Sequence, residues 1–232
     1  MRAELERALS EAAIPCSQQI LDKFCRYYEL LIDWNQHTNL TALTAPLDFV
    51  YKHVLDSVLP VRFLALGNSA LVDVGTGAGF PGLPLKLISP EIQLFLVDAS
   101  RKRVDFLRHC CARLEVDGKV VHARAEELGR GCYREFFDLA VTRAVASLPV
   151  ISEYCLPLLR PGGLFAALKG PGGKEEAEAA GTAVSLLGGE LRAVHRYRLP
   201  QGDERSLVLV DKVSPSPRRY PRRPGIPAKK PL

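Results

Sequence analysis

From Asp73 to Gly82 the chain reads Asp-Val-Gly-Thr-Gly-Ala-Gly-Phe-Pro-Gly, directly after the apolar run Ala70-Leu-Val. Such a stretch narrows the possible folds sharply. A short buried strand that breaks into glycines and then a helix lets the backbone turn tightly and approach a ligand that a Cβ would block. The downstream pattern repeats strand and helix. Strands are expected over 70–74, 92–98, 119–122, 137–142 and 164–169, with helical stretches near 83–88, after a capping Ser100, over 148–159 and over 174–187. Pro161-Gly-Gly reads as a turn before the fifth strand. This alternation of short apolar strands with helices predicts a parallel sheet covered on both faces. The last two strands, 190–198 and 206–211, are separated by seven residues. That is too short for a helix, so they are expected to form an antiparallel hairpin at the sheet edge.

Before Asn68 the sequence reads as helical. Leu5 and Leu9 mark one short amphipathic helix. Ser17 can cap a second, on which Leu21, Phe24, Tyr27, Tyr28 and Leu31 recur at three- and four-residue intervals. A third spans about 47–59 and is expected to close at Pro60. The chain thus divides into a helical extension (1–68), a ligand-binding core (69–211) and a tail (212–232).

The tail is set apart by charge. Seven of the 31 Lys and Arg residues, and none of the 26 acidic ones, lie in it, leaving a body of 24 basic and 26 acidic side chains. A uniformly basic packaging protein is excluded, and 47% hydrophobic composition excludes a disordered one. Six prolines stiffen the tail, and Tyr220 and Ile226 offer anchors, so it is expected to lie ordered beside the cleft, with Arg218, Arg219, Arg222, Arg223, Lys229 and Lys230 available to the phosphates of a nucleic acid. No run reaches the ~20 apolar residues of a membrane helix, and the first residues are too charged for a signal peptide. The six cysteines show no metal-ligand spacing and read as free thiols of a cytoplasmic protein, with no metal expected.

Two ligands compete for the glycine loop. Gly77-Ala-Gly79-Phe-Pro-Gly82 fits the dinucleotide pattern, with Asp98 placed for a ribose. Asp73, two residues before the first glycine, is poor company for a pyrophosphate but suits a cationic ligand such as S-adenosyl-L-methionine. On that reading Asp98 accepts from the ribose and Glu126 lines the adenine. Alternatively, Asp73 caps the loop backbone, and Glu126 and Glu127 form a solvated helical turn.

Several blocks carry a family resemblance: His53-Val-Leu-Asp-Ser57, the glycine block, Val97-Asp-Ala-Ser-Arg-Lys-Arg103, Arg124-Ala-Glu-Glu127, Thr142-Arg-Ala-Val145, Leu168-Lys-Gly170 and the tail from Arg219. The chain resembles the RsmG (GidB) family of bacterial 16S rRNA methyltransferases, which methylate guanine N7. The resemblance implies a Rossmann-like class I S-adenosyl-L-methionine-dependent methyltransferase fold with a seven-stranded, mostly parallel sheet. By position it implies cofactor contacts from Gly75, Gly77, Gly79, Phe80, Asp98, Ala99, Ser100, Ala125, Glu126 and Arg143. The implied partner is 16S rRNA or a small-subunit particle, met by a monomer.

Guanine N7 carries an available lone pair, so transfer needs alignment rather than a general base. Arg143, at the end of the fourth strand, is expected to orient cofactor or target. Lys169, at the end of the fifth, is expected to contact RNA phosphate, although a solvated loop lysine has the same signature. Arg124 and Arg205 are further RNA-facing candidates. His53 and Asp56, three apart on one helical face, read as hydrogen-bonding groups joining the N-terminal helices to the sheet, with Asn39 able to join them. Trp34 and the Tyr27/Tyr28 pair read as core packing rather than base-stacking groups. The rival functions are an NAD-type oxidoreductase on the same loop and a non-catalytic RNA-binding assembly factor.

Overall fold

The computed structural model describes residues 1–232. Seven strands form one sheet in the order β3-β2-β1-β4-β5-β7-β6. They are β1 (Ala70–Val74), β2 (Gln93–Asp98), β3 (Gly118–His122), β4 (Phe137–Arg143), β5 (Leu159–Lys169), β6 (Gly189–Arg198) and β7 (Glu204–Lys212). β7 alone runs against its neighbours, pairing antiparallel with both β5 and β6, and β6 takes the edge. The expected hairpin therefore forms, with its second strand inserted next to β5.

β1 is central and buried along its whole length, which accounts for its unbroken apolar run. Alternation along it separates two cores. Leu71 faces a 39-residue cluster shared with the N-terminal helices, whereas Ala70, Val72 and Val74 face a 22-residue cluster shared with the later helices and the tail. Asp73 consequently lies on the Leu71 side.

The N-terminal helices are α1 (Arg2–Glu11) and α2 (Gln18–Thr38). Ser17 Oγ accepts from the Ile20 N–H at 3.3 Å, closing the start of α2 as expected. Leu21, Phe24, Tyr27 and Leu31 of α2 are buried, each worth about 1.5–3 kcal/mol on the scale of an apolar side chain removed from water. Tyr27 also donates to the Ala78 carbonyl and stacks on Phe80 at 5.2 Å, so this helix buttresses the glycine loop from behind. Trp34 packs against Phe106. The aromatic residues of α2 therefore serve the core.

Four local expectations are corrected. The third helical segment is a series of short turns: α3 (Pro46–Asp48), a π-helical stretch (Phe49–Leu55), α4 (Asp56–Val58) and a 3₁₀ stretch (Leu59–Phe63). Pro60 lies inside that last stretch, because proline suits a first helical turn as readily as it ends a helix. Ser100 precedes α6 (Arg101–Leu114), but its side chain caps nothing; the Asp98 carboxylate takes the Ser100 N–H instead, at 2.8 Å. Pro161-Gly-Gly belongs to β5 as an irregularity in its pairing with β4, made possible by Gly162 at φ +89°. The 174–187 helix is divided into α9 (Gly173–Ala179) and α10 (Gly181–Leu186), the break falling at Ala180 beside Gly181, a residue type that costs about 1 kcal/mol within a helix. The remaining helices are α5 (Gly82–Ile88), α7 (Ala125–Arg130), α8 (Leu148–Cys155) and α11 (Ile226–Lys229). No helix is long and apolar enough to cross a membrane.

Candidate active site

Two cavities, each of about 410 Å³, open at the carboxyl end of the sheet and share Ala144. The first lies over β1, β2 and β3. Gly75, Asp98, Ala99, Ala125 and Glu126 line it. Gly75 has φ +69°, and a Cβ there would stand 2.6 Å from a Val145 methyl group, so only glycine keeps this wall open. Asp98 is buried; its Oδ2 accepts from the Gly77 N–H at 3.0 Å and its Oδ1 from the Ser100 N–H at 2.8 Å. A carboxylate has about four acceptor positions, so capacity for ribose hydroxyls remains. Gly77 and Ser100 thus touch the site by holding Asp98. Gly79 at φ +102° lies against Tyr27 and Leu83, supporting the loop from below.

Phe80 is buried, with its ring stacked on His53 at 4.4 Å and on Tyr27, and it does not line the first cavity. Arg143 reaches the second cavity instead of the first. Its guanidinium donates to the Lys52 carbonyl (2.7 Å) and Asp56 (3.3 Å), lies 3.2 Å from His53 Nδ1, and stacks over Phe80 at 5.1 Å. Burial and the neighbouring Arg143 lower the His53 pKa to about 4. His53 is therefore neutral, with Nδ1 accepting from Arg143 and Nε2 facing the Leu43 carbonyl at 3.2 Å. His53 and Asp56 do join the N-terminal helices to the sheet, through Arg143. Asn39 stays out of this set and ends α2 in a left-handed conformation. Lys169 is no solvated loop lysine: its side chain is only 9% exposed, in contact with Ala146 O and Glu176. Arg205 also reaches the second cavity, bonded to Asp56 at 3.4 Å.

Asp73 behaves as the capping reading anticipated. It is fully buried, and its Oδ2 accepts from Thr76 Oγ1 (2.6 Å) and the Gly82 N–H (2.8 Å). Burial raises its pKa to about 7. The amide at the start of α5 is thus already taken by a carboxylate where a dinucleotide fold would offer it to a pyrophosphate. The other oxygen, Oδ1, is buried and has no hydrogen-bond partner. Asp98 and Glu126, two buried carboxyl groups in the cavity wall, fit a ligand bearing cationic and hydroxyl groups better than one bearing phosphates.

The tail is ordered, but half of its expected anchoring is wrong. Tyr220 is buried in the 22-residue cluster, whereas Ile226 is 40% exposed. Polar contacts do the remaining work. Arg134 donates to the Ser216, Pro217 and Tyr220 carbonyls, and Arg222 grips the fully buried Glu153. The Gly225 N–H donates to Glu126 Oε1 at 3.0 Å, so the tail closes on the outer wall of the first cavity. Of the basic residues expected to meet RNA, Arg124, Arg218, Arg219, Arg223, Lys229 and Lys230 are exposed, and Arg222 is committed to its clamp. Tyr154 in the first cavity and Lys52 and Glu176 in the second were not singled out from the sequence, and Val145 of the first was quoted there without a role. Val145 closes the quoted Thr142-Arg-Ala-Val145 block and its role was within reach; Glu176 sits in an acidic helical run that reads as a solvated face.

Comparison with known proteins bears on this geometry. The GidB family model, described as rRNA small subunit methyltransferase G, matches residues 20–208. A relative from Staphylococcus epidermidis strain RP62A, named ribosomal RNA small subunit methyltransferase G, is 43% identical over 231 residues, covering 98% of this chain and 97% of the relative. A Staphylococcus aureus strain JH9 relative of the same name is 42% identical with the same coverage. Among solved structures, an O-methyltransferase from Bacillus cereus in complex with SAH superposes with a TM-score of 0.57 at 15% identity, over 89% of this chain and 96% of that one. That last likeness speaks for the fold alone.

Proposed function

The chain belongs to the GidB family of rRNA small subunit methyltransferase G proteins, and on that premise we propose that it transfers a methyl group from S-adenosyl-L-methionine to N7 of a guanine in 16S rRNA, within the cytoplasm. The observation that carries this reading is the pair of cavities meeting at Ala144. One has a glycine-cut wall and two buried carboxylates, and the other is lined by cationic side chains and large enough for a base.

When bound, the cofactor supplies an electrophilic methyl on a sulfonium. Gly75, Asp98, Ala99, Ala125 and Glu126 would hold it, with Gly77 and Ser100 fixing Asp98. The target base would enter the second cavity, between Arg143 and Lys169. Nothing there needs to remove a proton before transfer, because the N7 lone pair is already free. The protein agrees with that chemistry: neutral His53 has both ring nitrogens engaged, and both Asp56 oxygens receive donors. Neither is free to act as a base. The barrier is lowered by alignment, and Arg143 is the side chain that ties the wall of the base cavity to the N-terminal helices.

The test supplies purified protein with methyl-labelled S-adenosyl-L-methionine and small-subunit particles from cells lacking the gene. Label should appear as N7-methylguanine in 16S rRNA, and Arg143→Ala should abolish it while S-adenosylhomocysteine still raises the melting temperature. Label on another atom, or full turnover by the variant, refutes the assignment. No labelling under any condition would favour the assembly-factor reading, and protection by NAD rather than S-adenosylhomocysteine the oxidoreductase.

A further inference from the structure

We propose that Lys169 and Glu176 together select guanine over adenine in the second cavity, an inference that rests on the methyl-transfer reading above. The cavity gathers four cationic side chains (Lys52, Arg143, Lys169, Arg205) and two carboxylates (Asp56, Glu176). Most of this charge is already spent. Lys52 pairs with Asp48 at 2.9 Å. Asp56 is a saturated hub: Oδ2 receives Arg143, Oδ1 receives the Tyr197 hydroxyl at 3.2 Å, and Arg205 Nε lies 3.4 Å from both oxygens.

The Lys169–Glu176 pair differs. Glu176 Oε2 accepts from the Leu148 N–H at 3.0 Å and lies 2.8 Å from Lys169 Nζ, while Oε1 has no partner in the protein. Lys169 Nζ also donates to the Ala146 carbonyl at 2.8 Å. An ammonium has three N–H donors, so one remains. Three elements hold the pair in place: the end of β5 carries Lys169, α9 carries Glu176, and the first amide of α8 fixes the carboxylate. The result is one open donor beside one open acceptor, on a lysine that is 9% and a glutamate that is 37% exposed.

Guanine presents the complementary edge. Its O6 accepts and its neighbouring N1–H and N2–H₂ donate, so Lys169 reads O6 and Glu176 Oε1 reads the N–H groups. Adenine presents the reverse, an amino donor toward the ammonium and a lone pair toward the carboxylate. A partly desolvated site then loses both bonds and rejects the base. The same contact serves the reaction. Methylation at N7 makes the purine cationic and its N1–H a stronger donor, so the Glu176 bond strengthens as charge develops on the base.

The test first locates the methylated position by cleavage at N7-methylguanine. That position is then rebuilt as guanine or as 2-aminopurine, which keeps N7 and the amino group but lacks O6 and N1–H. The ratio of kcat/KM for the two RNAs is measured for wild type, Lys169→Met and Glu176→Gln; in the last, the amide oxygen can still accept from Leu148. The guanine preference should fall by about 5- to 150-fold in each variant, the range expected for one bidentate base contact. A purely structural role would lower both rates and leave the ratio unchanged. Ratios within twofold of wild type, with S-adenosylhomocysteine binding intact, overturn the assignment alone. A wild type that never methylates guanine N7 overturns the functional reading and this assignment with it.

Discussion

Arg222→Leu should unfold the tail from the body at a cost that the geometry allows us to bound. Glu153 is completely buried and accepts from Arg222 Nε at 2.9 and 3.0 Å, from Nη2 at 2.5 Å and from the Arg222 backbone N–H at 2.7 Å. Removing the guanidinium leaves a buried carboxylate with a single backbone donor, and breaking buried pairs in this way costs about 3–5 kcal/mol. Arg222 is itself a quarter exposed, so screening by water favours the lower end, about 3 kcal/mol. For a chain of this length that corresponds to a melting temperature lower by roughly 6–12 °C. Urea unfolding at pH 7, followed by far-UV circular dichroism, measures it. The neighbouring Arg223 is exposed, so Arg223→Leu is the control and should stay within about 0.5 kcal/mol of wild type. Replacing both partners, Glu153→Leu with Arg222→Leu, should recover much of the loss. If Arg222→Leu costs under 1 kcal/mol, or no more than Arg223→Leu, the clamp is not what orders the tail.

Three further outcomes follow from the same structure. Gly75→Ala places a methyl group 2.6 Å from Val145 at φ +69°. It should weaken S-adenosylhomocysteine binding at least tenfold by calorimetry while costing about 1 kcal/mol of stability; unchanged affinity would remove Gly75 from the cofactor wall. The second concerns pH. Between pH 6.5 and about 4 the unfolded chain binds a proton at His53 that the folded chain refuses, so this stabilisation is lost as pH falls. Asp73 opposes it: its pKa is raised from 3.8 to about 7, so the folded chain holds an extra proton in that window and this contribution is lost as pH rises. Asp73→Asn removes the opposing group, so its melting temperature should fall more steeply than wild type between pH 6.5 and 4.5; equal slopes would contradict a protonated Asp73. The third is deletion of 214–232. It removes Tyr220 from the core and the Gly225 N–H from Glu126, so cofactor affinity and stability should fall together with RNA binding. Unchanged S-adenosylhomocysteine affinity would show that the tail takes no part in the cofactor wall.

The sheet was legible because its signals are local. β1, β2 and β4 are short apolar runs whose burial on both faces follows from their composition, and glycines at positive φ mark the loop wherever the chain turns. Boundaries failed where one residue type permits two conformations, as at Pro60 and at Pro161-Gly162. The cofactor cavity was partly legible for the same reason, since Gly75 follows β1 directly, Asp98 ends β2 and Glu126 stands in the first turn of the helix after β3. Most residues of the second cavity were named from the sequence, but their meeting in one cavity was not legible, because they arrive from the N-terminal helical segment, the ends of β4 and β5, the start of β7 and α9.

The sequence alone determined the strand–helix alternation, the glycine turn that opens a ligand site, and a basic tail on a near-neutral body. Only the tertiary structure decided which charges are spent. It turns Asp73 beneath the loop, commits Arg222 to Glu153 across 69 positions while leaving Arg223 in water, and closes Asp56 while leaving an oxygen of Glu176 open. The physical reason is one of range. Hydrophobic periodicity and backbone φ are properties of neighbouring residues. The strength of a charged group depends instead on which partners share its desolvated site, and spacing along the chain does not encode that.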